Sequence, residues 1–345
     1  MRWTVARRDE FVYLRVSRTG EVIGTLTGVS GGSISENLNT ALKVSGTLDV
    51  VDTDIADDRV RIIARCDEGG GPEDVVLGTF LASTPAREVS GSHSRARVEL
   101  YSTLLVLDED RVETTYTVPA ATNAVALAVS LAQGAGLAVV STASSAPTTT
   151  AATFEAGTSK LSIINNMLTY AGYGSAGVDP YGAVVMSPYT SPAVRGAAWT
   201  FSDGDESIFA PKVTDEHDWY DTPNVVALTA TNADAVLIAT AVNADPLSPY
   251  STVSRGRRIV RAESVSDVES QAALQARADR LLEESSTNVQ SETVTHSYAP
   301  FTIGDVVRLA YRAAGLDYAM VVQSREVRLS PGMPTTTRMR RFVRG

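Results

Sequence analysis

The sequence predicts a mainly β fold with a small α+β insert, and three observations support this prediction. The first third contains short runs that alternate apolar and polar residues between turns rich in Gly, Asp and Pro. The middle changes to a helical period, and the last third returns to strand-like runs around one amphipathic helix. We therefore predict three units, namely residues 1–117, 118–195 and 196–345, with the helix of the last unit at residues 266–284.

The predicted strands of the first unit follow one another at nearly regular spacing. Short strands divided by tight turns are typical of a β-barrel or a β-sandwich. The only cysteine, Cys66, falls in an alternating strand, so we expect a small buried residue and not a nucleophile. The six predicted strands span residues 11–18, 21–27, 43–51, 59–66, 75–82 and 95–107.

Two helices are predicted in the middle unit. The first spans residues 122–133, which are rich in Ala, Val and Leu, with Thr122 or Asn123 as its N-cap. The second spans residues 160–170 and follows the N-cap candidate Ser159. Its apolar residues recur at a helical spacing, which places them on one face.

The last unit combines predicted strands with the long helix. Ser266 and Glu269 have the spacing of a capping box at the start of this helix. Its leucines and alanines form an apolar stripe that needs a sheet to pack against. The predicted strands of this unit span residues 224–228, 235–242, 306–311, 318–329 and 335–343.

The charge of the chain limits its partners. The formal net charge is −10, which argues against an open surface for nucleic acid, because such a surface needs clustered cations. The charged N-terminus lacks the apolar stretch of a signal peptide, and the longest apolar runs are too short to span a bilayer. We expect a soluble chain that is made in the cytoplasm and does not insert into a membrane.

Residues 28–32, Gly-Val-Ser-Gly-Gly, match the pattern of a hydrolase nucleophile elbow. That chemistry needs a strand before Ser30 and a helix after it. Here the following residues predict a loop and a strand, so the sequence favours a Gly-rich β-turn.

The acid-rich residues 215–221 hold four acids and one histidine. A calcium site would need a Gly turn and alternating oxygen ligands, so we favour a solvated loop. The three histidines, His93, His217 and His296, are far apart in the chain. The sequence therefore predicts no catalytic, cofactor or metal site.

Two arginine clusters are the only candidate site residues, and we expect them at a subunit interface. The first cluster ends a loop at residues 242–257, which Pro246 and Pro249 stiffen into a connector between strands. The second lies on the last predicted strand, where alternate residues point to opposite faces. The six candidates are Arg255, Arg257, Arg258, Arg338, Arg340 and Arg341.

Four stretches, in this order, resemble the sequences of phage tail hub proteins, which are the baseplate hub of contractile tails and the tail-tip hub of siphophages. They correspond to an early hairpin, a central helix with a Tyr/Gly/Pro turn, a strand pair with its crossing loop, and a late strand. The stretches are residues 28–50, 158–189, 222–259 and 301–311.

The resemblance implies a structural protein and not an enzyme. Hubs of this kind are homotrimers with two tube-protein-like β-barrels per chain, so that three chains present six barrels in a ring between the sixfold tail tube and the threefold tip. The implied partners are a distal tail or tail tube protein, a tip, spike or fibre protein, and DNA that crosses the lumen only transiently. The implied location is the virion tail, assembled in the host cytoplasm.

Two other functions stay open at this point. A tail-associated hydrolase acting on cell wall or glycan would use Ser30 or an acid such as Asp218. A receptor- or carbohydrate-binding module would present Tyr189, Trp219 or Tyr220 on loops.

Overall fold

The computed structural model describes residues 3–53, 55, 59–83, 86–143, 151–204, 207–217, 220, 222–231, 236–265, 271–287 and 290–341. The chain begins with eight strands, many of which alternate buried and exposed side chains, as expected for strands that cover a core on one face. They are β1 (Arg8–Val16), β2 (Val22–Thr25), β3 (Val29–Asn37), β4 (Val44–Val51), β5 (Arg59–Asp67), β6 (Pro72–Ala82), β7 (Arg87–Ser90) and β8 (His93–Ser102).

The middle of the chain holds three helices and short strands around one apolar core. Two small sheets, β10-β13-β12 and β11-β9, border the helices. The elements are α1 (Leu105–Glu109), β9 (Tyr116–Val118), α2 (Ala124–Gly134), β10 (Val139–Ser141), β11 (Ala152–Phe154), α3 (Lys160–Tyr170), β12 (Gly177–Val178) and β13 (Val184–Met186).

The last part of the chain returns to β structure with one long helix. Its elements are β14 (Trp199–Ser202), β15 (Phe209–His217), β16 (Val225–Thr231), β17 (Val236–Val242), α4 (Thr252–Arg255), β18 (Val260–Val265), α5 (Gln271–Thr287), β19 (Gln290–Ser297), β20 (Val306–Tyr311), β21 (Leu316–Arg328) and β22 (Pro334–Arg341). Among the described residues, no helix has the length and apolar character needed to cross a membrane.

One sheet of fourteen strands combines the first and last parts of the chain. Its main path runs β15-β19-β22-β21-β3-β4-β8-β6-β5-β1-β2, with β20 and β14 branching from β21 and β7 from β8. The path has two ends, at β15 and β2, so this sheet is open. The mainly β class predicted from the sequence is confirmed.

A separate sheet of three strands, β17-β16-β18, packs one face against α5. Val226 and Leu228 of β16 lie in one core with Leu274 and Ala278 of the helix. The predicted apolar stripe is confirmed. The proposed capping box at the start of the helix lies outside the described residues.

The glycine-rich residues 28–32 do not form the expected turn. Residues 29–32 form the start of β3, which pairs with β4 and has a bulge between Val29 and Gly31. A Cβ on Gly32 would lie 2.3 Å from the carbonyl oxygen of Thr47, so only glycine allows this close approach of two backbones. The glycines therefore serve strand pairing, which the motif alone did not indicate.

The strand predicted at residues 95–107 is wrong at its C-terminal end. β8 ends at Ser102, and α1 follows with Leu104 and Leu107 fully buried in the core of the middle part. These leucines are three residues apart and therefore share a helix face, whereas the apolar run that contains them lacks the alternation of a strand.

The two predicted helix starts in the middle part are confirmed. The Asn123 side chain accepts a hydrogen bond from the backbone N–H of Ala126, and the Ser159 hydroxyl accepts one from the N–H of Ser162. These bonds satisfy donors that have no partner within the first helical turn.

Two threonines join the first sheet to a turn in the middle part. Thr79 donates to the carbonyl of Pro180 at 2.9 Å, and Thr103 donates to the carbonyl of Gly182 at 2.8 Å. Gly182 has a φ of +87°, and a Cβ there would approach Thr103 Cγ2 to 3.0 Å. The contact therefore depends on a glycine at this position.

We predict that Gly182→Ala lowers the free energy of unfolding by about 1–3 kcal/mol, because it combines an unfavourable φ with a close contact. Gly177→Ala is the matched control, since Gly177 has no neighbouring atom within 4 Å of its Cβ position. Urea denaturation followed by circular dichroism measures both. Equal losses in the two variants would contradict this account of the contact.

Candidate assembly site

The first and last parts of the chain meet where β21 pairs antiparallel with β3. This pairing, which we call the joint, matches Ser324–Arg328 with Ser33–Asn37 in continuous register. Among the described strands it is the one link in the main sheet path between the two parts. The relative orientation of the two parts therefore depends on it.

An ion pair lies at the centre of the joint. Arg325 and Glu36 face each other across the two strands, and the guanidinium donates to both carboxylate oxygens, at 3.1 Å from Nε and 2.7 Å from Nη2. Their side chains are only 5% and 8% exposed. A planar bidentate pair of this kind fixes distance and orientation together.

The remaining contacts of Arg325 come from the segment after β19. Its Nη1 donates to the carbonyls of Ala299 and Phe301, and its guanidinium lies 5.2 Å from the ring centroid of Tyr298. Burial acts to lower the pKa of Arg325, but Glu36 and Tyr298 together outweigh it and hold that pKa above its ordinary value. Arg325 therefore stays charged, and its guanidinium donates to Glu36 and to two backbone carbonyls.

His296 lies next to this pair in an aromatic environment. Its ring centroid is 4.7 Å from that of Phe201, Nδ1 donates to the carbonyl of Ser297 at 2.6 Å, and Nε2 accepts from the hydroxyl of Thr337 at 2.8 Å. Burial lowers its pKa to about 4, and the charge of Arg325 adds to this effect. The imidazole is therefore neutral at pH 7.

Further contacts link the two parts next to the joint. The backbone N–H of Gly332 donates to the carboxylate of Asp9 at 3.0 Å, and the N–H of Leu329 donates to the carbonyl of Gly32 at 2.9 Å. The Leu329 side chain lies in the apolar core of the first part. Cys66 is buried beside these contacts, as predicted, and burial raises the pKa of its thiol to about 12.

The opposite side of the sheet faces solvent across both parts, and we call it the open face. Alternating burial along six adjacent strands defines it, from β19 through the joint to β8. Its residues are Thr293, Thr295, Thr336, Arg338, Ser324, Glu326, Arg328, Ser33, Ser35, Asn37, Ser45, Thr47, Asp49, Arg97, Glu99 and Tyr101.

Half of the positions on the open face carry Ser or Thr hydroxyls, and none is aliphatic. Among these sixteen residues, three arginines and three acids balance each other, although the chain carries −10. Val51 and Arg95, the next pair of β4 and β8, and Arg340 of β22 continue the same side of the sheet beyond them. Side chains of this kind are well hydrated and gain little from burial. The open face is therefore suited to water and not to tight packing.

The predicted arginines on β22 have different surroundings. Arg338 is exposed on the open face, and its guanidinium donates to the Ser291 hydroxyl at 3.2 Å. Arg341 lies 4.5 Å from the ring centroid of Tyr318, and Arg340 is half-buried. Their proposed role at a subunit interface stays a prediction.

Two arginines of the other cluster bond to the segment that precedes β16. Arg255 donates to the carbonyl of Thr222 at 3.1 Å, and Arg257 donates to the carbonyl of Tyr220 at 2.9 Å and lies over its ring. Arg258 is exposed. The structure therefore places this cluster at the end of α4 and in the connection to β18, whereas the other cluster lies on β22 of the large sheet.

The residues considered for hydrolysis are not assembled into a catalytic site within the described part of the chain. The Ser30 hydroxyl donates to the carbonyl of Asp49 at 3.1 Å and borders an open cleft of about 560 Å³. His93 bonds instead to Asp52, at 2.7 Å, and this bond lowers the pKa of that carboxyl. The side chains of residues 215–219, and residue 221, lie outside the described residues.

Sequence reasoning missed the residues at the joint. Glu36 and Arg325 each occupy a position where alternation with Ile34 or Val327 calls for an apolar side chain. A charge in the apolar row of a strand could have marked each of them as buried, since such a charge needs a buried partner, but it does not identify that partner.

We predict that Arg325→Met lowers the free energy of unfolding by about 3–5 kcal/mol, because Glu36 is left as a buried charge without its cation. The exposed neighbour Arg328 supplies the matched control, since Arg328→Met should change stability by less than about 0.5 kcal/mol. Adding Glu36→Leu to Arg325→Met should recover part of the loss. A double variant no more stable than Arg325→Met alone would refute the pairing.

The neutral state of His296 predicts a loss of stability in acid. Its pKa is about 4 in the folded chain and 6.5 in the unfolded chain, so the unfolded state binds more protons as the pH falls from 6.5 towards 4. This group alone should cost about 2 kcal/mol between pH 7 and pH 5. Denaturation at the two pH values should show a smaller decrease for His296→Gln than for the wild type. Equal decreases would show that His296 does not titrate in this way.

The fold of this chain resembles solved structures of known proteins. No protein-family model matches the sequence, and no curated protein matches it either. A tail protein from Neisseria meningitidis MC58 superimposes with a TM-score of 0.70 at 16% identity, covering 98% of this chain and 97% of that chain. The 43 kDa tail protein of prophage MuSo2 from Shewanella oneidensis gives a TM-score of 0.67 at 13% identity, covering 97% and 98%.

A third similar structure is the c3393 protein of E. coli, a component of the type VI secretion system with structural similarity to the T4 bacteriophage tail proteins gp27 and gp5. It superimposes with a TM-score of 0.52 at 9% identity, covering 92% of this chain and 76% of that chain. The resemblance predicted from the order of the sequence motifs is thus confirmed at the level of the fold, and the chain has the fold of phage tail and tail-hub-like proteins.

Proposed function

We propose that this chain is a structural hub of a phage tail tip or baseplate, located in the virion tail. Three copies form a ring that joins the tail tube to the tip and leaves a central passage for DNA. The observation that carries this proposal is the joint, which combines the first and last parts of the chain into one continuous sheet through a buried bidentate ion pair.

The two parts of this sheet correspond to the two tube-like barrel units in the proposal. They are residues 1–117 and 196–345, with residues 118–195 as the α+β unit between them. Because each chain supplies two such units in a fixed relative orientation, three chains present six of them. That number matches a sixfold tail tube on one side and a threefold tip on the other.

The open face is the proposed wall of the passage. Hydroxyl groups hold water, and the balanced arginines and acids give no excess of cations that would retain phosphate groups. A wall of this kind lets DNA pass without holding it. The proposed lumen is rich in hydroxyl groups, although the chain as a whole carries a net charge of −10.

The remaining partners are a tail tube or distal tail protein on one side of the ring and a tip, spike or fibre protein on the other. The structural neighbours support this, because two are tail proteins and one belongs to a secretion system with similarity to tail proteins. We propose no enzymatic role. The two arginine clusters remain proposed contacts between copies.

A ring of three copies predicts a particle of three times 36.6 kDa, about 110 kDa. Mass photometry and light scattering after size exclusion measure this for the purified chain, alone and with a tail tube protein. Arg325→Met should reduce the fraction of rings, because the two parts lose their fixed orientation, while Arg328→Met should leave it unchanged. A strict monomer in the presence of the tube protein would overturn the proposal.

A further inference from the structure

Within the part of the chain that the structure describes, no element covers one face of the three-stranded sheet. α5 packs on one side, and the other side exposes a patch without a single charged residue, which we call the uncharged face. Its residues are Val236, Ile238, Thr240 and Val242 of β17, Ala227 and Thr229 of β16, and Val260, Ala262 and Ser264 of β18.

Large apolar side chains are unusually exposed on this face. Ile238 is 63% exposed, and Val236, Val242 and Val260 are each close to half exposed or more. Four β-branched side chains grouped on one flat sheet surface are the composition of a sheet interior, not of a solvated surface. The face therefore has the composition of a buried sheet surface, although no described element packs on it.

The edge of this sheet is closed to an added strand at β17. The side-chain amide of Gln271 donates to the backbone carbonyl of Ile238 at 2.7 Å, and that of Gln275 donates to the carbonyl of Thr240 at 3.2 Å. These bonds use the outward-pointing acceptors that a new strand would need. A partner therefore approaches the face and not this edge.

A rigid loop stands at one end of the face, between β17 and β18. Its tip is Leu247, which is 90% exposed. The Leu247 N–H donates to the Asp245 carboxylate at 2.8 Å, and the Asn243 amide donates to the Ser248 hydroxyl at 3.0 Å. Because these bonds and two prolines order the loop in advance, an apolar contact by Leu247 costs little further entropy.

The absence of charge limits the classes of molecule that can bind the uncharged face. Nucleic acid and charged peptides gain nothing from a patch without charges. Copies of this chain, each at −10, repel one another except where acids are absent, and the uncharged face is such a place. The loop beside it carries three arginines, Arg255, Arg257 and Arg258, against one acid, Asp245, so this border is net positive and attracts the excess negative charge of a second copy.

We propose that the uncharged face, together with Leu247, is the surface on which a second copy of this chain packs, with the loop arginines at its rim. An apolar centre with an arginine-containing polar border is the usual arrangement of a protein interface. This inference rests on the proposed self-assembly and assigns the surface responsible for it.

Ile238→Asp and Leu247→Asp test the assignment, because each places a charge in the contact while leaving the core of the chain untouched. We expect the dissociation constant for self-association to rise at least about 100-fold in both variants. Val89→Asp is the matched control: Val89 is 70% exposed on β7, away from this face, and self-association should be unchanged. Circular dichroism and thermal unfolding check that all three variants fold.

The outcomes separate this inference from the proposed function. A wild-type trimer that persists in Ile238→Asp and Leu247→Asp overturns the assignment and leaves the proposed hub intact. A wild type that is monomeric even with the tube protein overturns both.

Thiol labelling gives an independent readout, because the only native cysteine, Cys66, is buried. With Ile238→Cys, the rate of maleimide labelling should fall as the protein concentration rises, since a second copy covers the site. With Val89→Cys, the rate should not depend on concentration. Protection of the Ile238→Cys site that requires another tail protein would show that the occupant is not a second copy.

Discussion

The bidentate contact between Arg325 and Glu36 is the constraint on which the rest of the structure depends. It joins strands that are nearly the whole chain apart in sequence, and it lies at the one place where the main sheet path passes from one part of the chain to the other. A buried ion pair adds little net stability, because its attraction is offset by desolvation. Its value is specificity, since any other register would leave one of the two charges buried and unpaired. The pairing therefore selects one relative orientation of the two parts.

That orientation gives the molecule two different sides. On the core side, Leu329 from the last part enters the core of the first, and Asp9 accepts from the backbone of Gly332, so the two parts share a core boundary. On the other side, the open face runs without interruption from β19 to β8. A hydroxyl-rich surface of this extent needs water or a mobile partner next to it. The proposed passage for DNA and the proposed packing through the uncharged face thus use different surfaces, and both follow from the same chain geometry.

The sequence predicted those features that depend on local patterns. The sequence predicts Ser159 as one helix cap and Thr122 or Asn123 as the other, because the hydrogen bonds of a helix start involve residues close in sequence. Alternation identified most of the longer strands, but it failed at residues 104–107, where the apolar run is helical. The joint could not be predicted from local patterns, because the strand that pairs with β3 is far away in the sequence. Thr335 and Thr337 of β22 face the core although they carry hydroxyls, so the sequence pattern does not show which side of that strand is buried. The open face and the uncharged face became visible only when the register of neighbouring strands was known.

The central claim is that the joint holds two tube-like units so that three chains enclose a passage lined by the open face. A three-dimensional reconstruction of the purified protein by electron cryomicroscopy tests it most directly. The account predicts a threefold ring with six similar units, a continuous channel, and Thr336, Ser35 and Thr47 exposed on its wall. A particle without a channel, or one in which these residues are covered by a neighbouring chain, would contradict it.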